Sequence, residues 1–279
     1  MLSYRHGYHA GNHADVLKHW VQVLCLQYLK QKDKPFYYVD SHAGGGLYDL
    51  KSQFAQKTNE AAEGITCLWQ QSDQPDVLAD YIDAVAQFNP HKLKNYPGSP
   101  AIAANLLREG DRLRLVEMHS AEISALQKQF AKDRRVKVID GDGFQELKAL
   151  LPPPTRRGLV LMDPPYEMKA DYQRVIGAMK ENLKRFANGI YLIWYPLINS
   201  VAAQRYSDQL RKLPCDKWLD VQLSVARPPQ GHGMYGSGIF VVNPPWVLEE
   251  QLHSGLDYLV KKLAQDEAAE SRILSSENH

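Results

Sequence analysis

Leu159-Val160-Leu161-Met162 runs straight into Asp163-Pro164-Pro165-Tyr166. An apolar run of this length, bounded by prolines, suits a strand buried on both faces, as in a parallel sheet. Pro164 and Pro165 end it, because proline brings no N–H to the ladder. Asp163 is thereby expected at the carboxyl end of a central strand, where open α/β sheets place their ligands.

A rigid turn carrying a carboxylate, proline carbonyls and an aromatic face suits an exocyclic amine on a nucleobase. The Asp163 carboxylate and the Pro164 carbonyl can each take one N–H of such an amine. That draws the nitrogen toward tetrahedral geometry and aims its lone pair at a methyl donor. Tyr166 is expected to stack on the flipped base. For the tetrapeptide alone, a structural strand-to-loop turn with a surface Tyr is the alternative. A second copy of the same grammar, Asn243-Pro244-Pro245-Trp246, follows the strand-like run Gly238–Val242. Position separates the two: cofactor-binding strands must precede the catalytic one, and little chain remains after residue 246. The second copy reads as the end of the last strand, capped by a packing Trp.

Upstream, Phe36–Asp40 is a short apolar strand that enters Ser41-His42-Ala43-Gly44-Gly45-Gly46. Strand, acid and glycine turn form the entry pattern of dinucleotide-type folds, with glycines letting the backbone approach a ligand. The helix that should open at the last glycine is missing. Residues 50–95 explain its absence: they are polar, with helical patterns at Thr58–Gln71 and Pro75–Phe88, and read as an inserted helical subdomain. This insertion is expected to stand over the cofactor edge of the sheet as a lid. The main fold resumes at Tyr96-Pro97-Gly98-Ser99-Pro100 with the delayed helix Ala101–Arg108. Strand Arg112–Val116 then ends at Glu117. An acid about 20 residues after the first strand holds ribose hydroxyls in such folds, and Glu117 takes that place once the insertion is discounted. A plain strand-end acid is the other reading of Glu117. Val136–Ile139 is a further strand, and Gly141-Asp142-Gly143-Phe144 after it can hold the amine of an adenine ring.

The rest of the chain follows suit. A helix starts at Asn12, a good N-cap, with Asp15 in its first turn favouring the positive helix end. Lys18 and His19 sit beside its apolar stripe, and for His19 a satisfied helix histidine and a ligand contact are both open. Tyr172–Phe186 is a helix, Gly189–Tyr195 a strand stopped by Pro196, and Ile198–Leu213 a helix. Trp218–Val225 and Ile239–Val242 make a final strand pair, and the chain after Leu263 reads as a polar tail that frays. The organisation is therefore a tail at 1–11, a main domain at 12–49 and 96–262, an insertion at 50–95 and a polar tail at 263–279.

Composition is that of an ordinary globular protein: 279 residues, 44% hydrophobic, 23% charged, formal net charge +1. No overall basic balance announces a nucleic-acid binder, so any basic surface is local. Cys25, Cys67 and Cys215 are far apart and read as small apolar residues in a reducing compartment. No stretch spans a membrane and no signal-peptide core opens the chain, which gives a soluble, cytoplasmic protein. His6, His9, His13, His19 and His42 invite a metal reading, but no cysteine or carboxylate spacing completes a tetrahedral set.

Five pieces together resemble the bacterial 23S ribosomal RNA adenine-N6 methyltransferases of the RlmJ type. They are the tail with Tyr4 and His6, Gly11-Asn12-His13-Ala14-Asp15, Asp40-Ser41-His42-Ala43-Gly44, Pro97-Gly98-Ser99-Pro100, and Asp163-Pro164-Pro165-Tyr166. The resemblance covers almost the whole chain. It implies an α/β fold of the Rossmann-like class I methyltransferase kind, with a seven-stranded, mostly parallel sheet. It implies S-adenosylmethionine as cofactor, no metal, 23S ribosomal RNA as partner, and a monomer. Carried over by motif, the cofactor contacts are His19, His42, Ser99, Glu117, Asp142 and Gly143, with Asp163 at the junction of donor and acceptor. The proton-acceptor role falls on Asp163, with Pro164, Tyr166 and Lys18 beside it, and Tyr4 and His6 meet the RNA. A DNA adenine-N6 methyltransferase and a non-catalytic RNA-binding assembly factor are the competing readings. The first is disfavoured by a small insertion that is not notably basic, the second by the intact Asp163–Tyr166 tetrad.

Overall fold

The computed structural model describes residues 6–231 and 233–277. After a 3₁₀ turn at His6–Tyr8 come α1 (His13–Lys30), β1 (Tyr37–Asp40) and β2 (Leu47–Asp49). The insertion holds α2 (Gln53–Thr58), α3 (Ile65–Leu68) and α4 (Ala79–Ala86). Then follow β3 (Asn95–Pro97), α5 (Ser99–Leu106), β4 (Arg112–Glu117), α6 (Ser120–Phe130), β5 (Val136–Asp140), α7 (Gly143–Leu150) and β6 (Gly158–Met162). The last part holds α8 (Lys169–Arg185), β7 (Ile190–Ile198), α9 (Val201–Gln204), α10 (Tyr206–Leu210), β8 (Trp218–Ser224), β9 (Met234–Val242), α11 (Leu248–Leu263) and β10 (Glu270–Ser275).

The main sheet runs β10-β8-β9-β7-β6-β1-β4-β5, and β2 pairs separately with β3. β5, β4, β1, β6 and β7 are parallel, whereas β9 is antiparallel to both β7 and β8. This is the Rossmann-like, mostly parallel α/β architecture expected, with eight strands rather than seven. The added strand is β10, antiparallel to β8 from Glu270↔Ser224 to Ser275↔Leu219. The expected fraying tail is thus an edge strand over Glu270–Ser275; its charged and polar residues suit an edge half open to solvent.

Alternation along the strands builds two cores. Tyr38, Leu159, Leu161, Leu192, Ile239 and Val241 join one face, with α1, α5, α6 and α11 over it. Val39, Val160, Met162, Tyr191, Ile193 and Phe240 join the other, covered by α7, α8, α9 and α10. α1 is buried nearly all round. The sheet lies on one side of it, and α4 and α11 lie on the other, which is why its apolar residues exceed a single stripe. The Asn12 side chain caps it by accepting the Asp15 N–H at 2.9 Å.

Several local expectations change. Asn59, left-handed at φ 54°, and Gly64 break the Thr58–Gln71 pattern into short pieces. Pro196 does not stop β7, which continues to Ile198 opposite β9. The last β6 partner is Met162, opposite Ile193, so the N–H that Pro196 lacks would face an open flank. Trp246 is 80% exposed rather than packing. Among the described residues no helix is long and apolar enough to cross a membrane.

Candidate active site

Register assembles the site. Asp40 pairs with Leu115 of β4 on one side and Leu161 of β6 on the other. The chain leaves β1 between them, with Ser41 N–H bonding to the Leu161 carbonyl and Ala43 N–H to that of Val116. The sheet's strand order reverses here, so a crevice opens above the carboxyl ends. One cavity is lined from the ends of β1, β4, β5 and β6, from α1, and from the 3₁₀ turn of the tail.

At one end stand Asp163, Pro164 and Pro165. The Lys18 ammonium meets Asp163 Oδ2 at 2.5 Å and Asp15 Oδ1 at 2.9 Å. The three side chains are 5%, 16% and 1% exposed respectively, for Lys18, Asp163 and Asp15. Burial pulls the Lys18 pKa down, but Asp15 and Asp163 together outweigh it and hold the ammonium raised. Asp15 Oδ2 also accepts from the Gly11 N–H at 2.8 Å and lies 2.9 Å from His6 Nε2. Burial works against the Asp15 carboxylate, yet His6, Lys18 and His19 keep its pKa well below the usual range.

In the middle lie His19, Ser41, His42 and Ser99. His19 Nδ1 sits 2.7 Å from the Tyr96 hydroxyl, and its buried Nε2 has no hydrogen-bond partner. Ser99 Oγ donates to Asp40 Oδ2 at 2.7 Å. Burial raises Asp40 to about 6, against hydrogen bonds from Ser99, Tyr38 and the His42 N–H. Burial lowers His42 to about 4, leaving a neutral ring at pH 7.

The far end is formed by Glu117, Met118, His119, Asp142, Gly143, Phe144 and Arg174. Glu117 Oε2 accepts from Gly44 N–H at 2.7 Å, and Oε1 from Met118 and His119 N–H at 2.8 and 2.7 Å. Gly44 adopts φ 65°, a left-handed turn that suits glycine. Asp142 caps α7 by accepting the Phe144 N–H at 2.9 Å, and its other oxygen meets Arg174 at 2.5 Å. A Cβ at Gly143 would overlap the Ser41 carbonyl, so only glycine lets these two loops touch.

All the expected cofactor-contact residues line this one cavity, as do Asp163, Pro164, Lys18 and His6. Tyr4 lies outside the described residues. Tyr166 departs from expectation. Its hydroxyl donates to the Trp194 carbonyl at 2.7 Å and lies 3.2 Å from that of Tyr206. Its ring packs on Tyr172, Trp194 and Tyr206, and the residue is 9% exposed. Its φ of 50° is costly for a bulky residue, and these contacts hold it there. In this structure Tyr166 braces the turn from below instead of offering a ring to the cavity.

The expected lid is also corrected: residues 50–95 contribute nothing to the cavity lining. Their apolar side chains, among them Ile65, Leu68, Tyr81 and Val85, join the core around α1. Their polar edge grips the tail instead. Glu60 meets His9 Nδ1 at 2.8 Å and Asn12 Nδ2 at 2.9 Å, Phe54 stacks edge-on with Tyr8, and Thr58 donates to the Tyr8 carbonyl. Sequence reasoning missed Arg174, which has no marker on an amphipathic helix, and gave Asp15 only a dipole role.

The family described as ribosomal RNA large subunit methyltransferase D, RlmJ, matches residues 33–273. The chain belongs to this family. Among RlmJ relatives, the Escherichia coli ribosomal RNA large subunit methyltransferase J is 51% identical over 264 residues, covering 94% of each chain. Its Haemophilus influenzae namesake is 47% identical over 268 residues, covering 95% of each. A crystal structure of a Legionella pneumophila protein, 36% identical, superposes with a TM-score of 0.89 over 96% of this chain and 98% of that one.

Proposed function

We propose that this RlmJ-family chain transfers the methyl group of S-adenosylmethionine to N6 of one adenine in 23S ribosomal RNA, in the cytoplasm. The observation that carries the reading is Asp163, in the turn beside Pro164 and Pro165, sharing one cavity with the ends of β1, β4 and β5.

The residues present fit the cofactor. His19 lines the cavity, and its buried Nε2 makes no hydrogen bond, standing 3.9 Å from Asp15 Oδ1; a buried donor or acceptor left without a hydrogen bond suits a ligand atom. His19, His42, Ser99, Glu117, Asp142 and Gly143 would hold the cofactor, with Asp163 at the junction. Because Asp142 already caps α7 and binds Arg174, it would share its outer oxygen with any incoming amine. S-adenosylmethionine supplies an electrophilic methyl on a sulfonium.

The chain's own work is alignment and exclusion of water. The Asp163 carboxylate and the Pro164 carbonyl each accept one N–H of the target amine. Lys18 occupies Asp163 Oδ2, which leaves Oδ1 for the amine. The methylated nitrogen is strongly acidic and gives up its proton after transfer, to the Asp163 carboxylate or to water, so Asp163 orients the amine without having to deprotonate it in the transition state. His6 borders the same cavity and, with Tyr4, would meet the RNA.

Asp163→Asn tests this. The amide keeps an acceptor but loses the charge, so kcat falls about 10²–10³-fold with measurable residual turnover. S-adenosylmethionine affinity stays within a few-fold. Complete loss of turnover in a folded variant that still binds cofactor refutes the orienting role.

A further inference from the structure

We infer that Asp15 is a positioning residue for the target amine, acting through Lys18. The inference rests on the methyl-transfer reading above. Asp15 touches neither end of the proposed reaction, and its place at the third position of α1 suggests an acid that only complements the helix dipole. Its surroundings say otherwise. The side chain is 1% exposed, whereas a dipole-pairing acid normally stays in water. The capping is done by Asn12, whose side chain accepts the Asp15 N–H. The Asp15 oxygens turn instead to Lys18, His6 and the Gly11 N–H.

Lys18 is three residues on, so helical spacing stacks it on Asp15. The ammonium is gripped from both sides, by Asp15 Oδ1 at 2.9 Å and by Asp163 Oδ2 at 2.5 Å. A lysine stem has four rotatable bonds, and one partner alone leaves its tip free to swing. Two partners fix the tip, and the tip fixes the Asp163 carboxylate plane. The remaining Asp163 oxygen then keeps its aim at the amine beside the Pro164 carbonyl. His6 joins the same Asp15 carboxylate at 2.9 Å and lines the cavity. Seating of the tail and orientation of Asp163 therefore pass through one buried group.

Among the described residues, the charged and titratable groups around the Lys18 tip and its Asp15 partner are Asp15 and His19 from α1, His6 from the tail and Asp163 from the turn after β6. The Trp194 ring of β7 stands 6.0 Å away. Burial pulls the Lys18 pKa down and Asp15 is the foremost group opposing it, ahead of Asp163. With an amide at position 15, burial gains ground, and Lys18 loses its proton at lower pH than in the wild type.

The experiment is a double-mutant cycle on the full chain, with Asp15→Asn, Lys18→Gln and the pair. Methyl transfer to protein-free 23S ribosomal RNA is read at pH 6 to 10, and S-adenosylmethionine affinity by calorimetry. Asp15→Asn is expected to lower kcat about 10–100-fold, the scale for misplacing a reacting group, with cofactor affinity within about threefold. Loss of activity through Lys18 deprotonation sets in at lower pH in the variant than in the wild type. In the Lys18→Gln background Asp15→Asn costs almost nothing more, since groups acting through one contact are not additive. Asp15→Ser removes the charge and the reach to Lys18 with a smaller polar side chain. It reads the same quantities should the amide variant melt below assay temperature. Wild-type kcat in a folded Asp15 variant overturns the inference, as do fully additive losses or an unchanged pH profile. A wild-type chain that transfers no methyl group overturns the underlying reading and the inference with it.

Discussion

Glu60→Ala removes the outer fastener of the tail without touching the cavity. Glu60 holds His9 at 2.8 Å and the α1 cap Asn12 at 2.9 Å. The His9 and Glu60 side chains are 37% and 29% exposed, so solvent screens the pair, which contributes roughly 0.2–1 kcal/mol. The hydrogen bond from Asn12 to a carboxylate adds about 1 kcal/mol after the same discount. Losing about 1–2 kcal/mol from the seated tail shifts its seated-to-free ratio by a factor of about 5–30. Because the tail is proposed to meet the RNA, KM for 23S ribosomal RNA rises by about that factor. S-adenosylmethionine affinity holds within about twofold, since Glu60 lies outside the cavity lining. The wild-type fastener is itself pH-dependent. The hydrogen bond to Glu60 raises His9 above 6.5, so its share is full below that value and fades as pH climbs through the raised one. Burial works against Glu60, but the His9 and Asn12 bonds hold it below 4.5. Its share is full above that value and fades as pH falls. RNA KM is therefore lowest between about pH 4.5 and 6.5 and drifts up at alkaline pH, a drift that Glu60→Ala abolishes. Steady-state kinetics with saturating cofactor decide the matter: a folded Glu60→Ala enzyme with wild-type RNA KM shows that the insertion does not hold a working tail.

Two further outcomes are expected. Tyr166→Phe strands the buried Trp194 carbonyl and costs about 1–2 kcal/mol in urea unfolding, with kcat within about threefold; a collapse of kcat at unchanged stability would mean that the hydroxyl takes part in the reaction instead of bracing the turn. Burial lowers His13 to about 4 against the pull of Glu60 and Asp15, from 6.5 when unfolded. The unfolded chain thus takes that proton first, and stability falls by up to about 3 kcal/mol as pH drops from 6.5 to about 4. His13→Gln should flatten that part of the pH profile of the urea midpoint, and an unchanged slope refutes the assignment.

The central strand, the glycine turn and the acids at the ends of β1, β4 and β5 were legible because each obeys a local rule. Prolines stop β6, glycine permits the φ of Gly44, and parallel strands run apolar on both faces. What escaped depends on partners far along the chain. Asp15 looks like any first-turn acid until the fold joins its neighbour Lys18 to Asp163. Arg174 is one of several cations on α8, and only the fold brings it to Asp142 and Phe144. Tyr166 was given to the ligand by its place in the tetrad, but the pocket formed by Tyr172, Trp194 and Tyr206 competes for its ring. β10 was missed because an edge strand needs only a weak alternation, and Glu270-Ser271-Arg272-Ile273 offers little more.

The burial of α1 sets an order on the making of this protein. Trp20 donates its indole N–H to the Val77 carbonyl, and its ring packs so closely on Gly255 that a Cβ there would collide. The first long helix to leave a ribosome thus waits, with its apolar sides bare, until the segment around residue 255 has also emerged. Release before α11 would yield a sticky nascent chain in place of a smaller working enzyme, and chaperone capture would concentrate on such unfinished products.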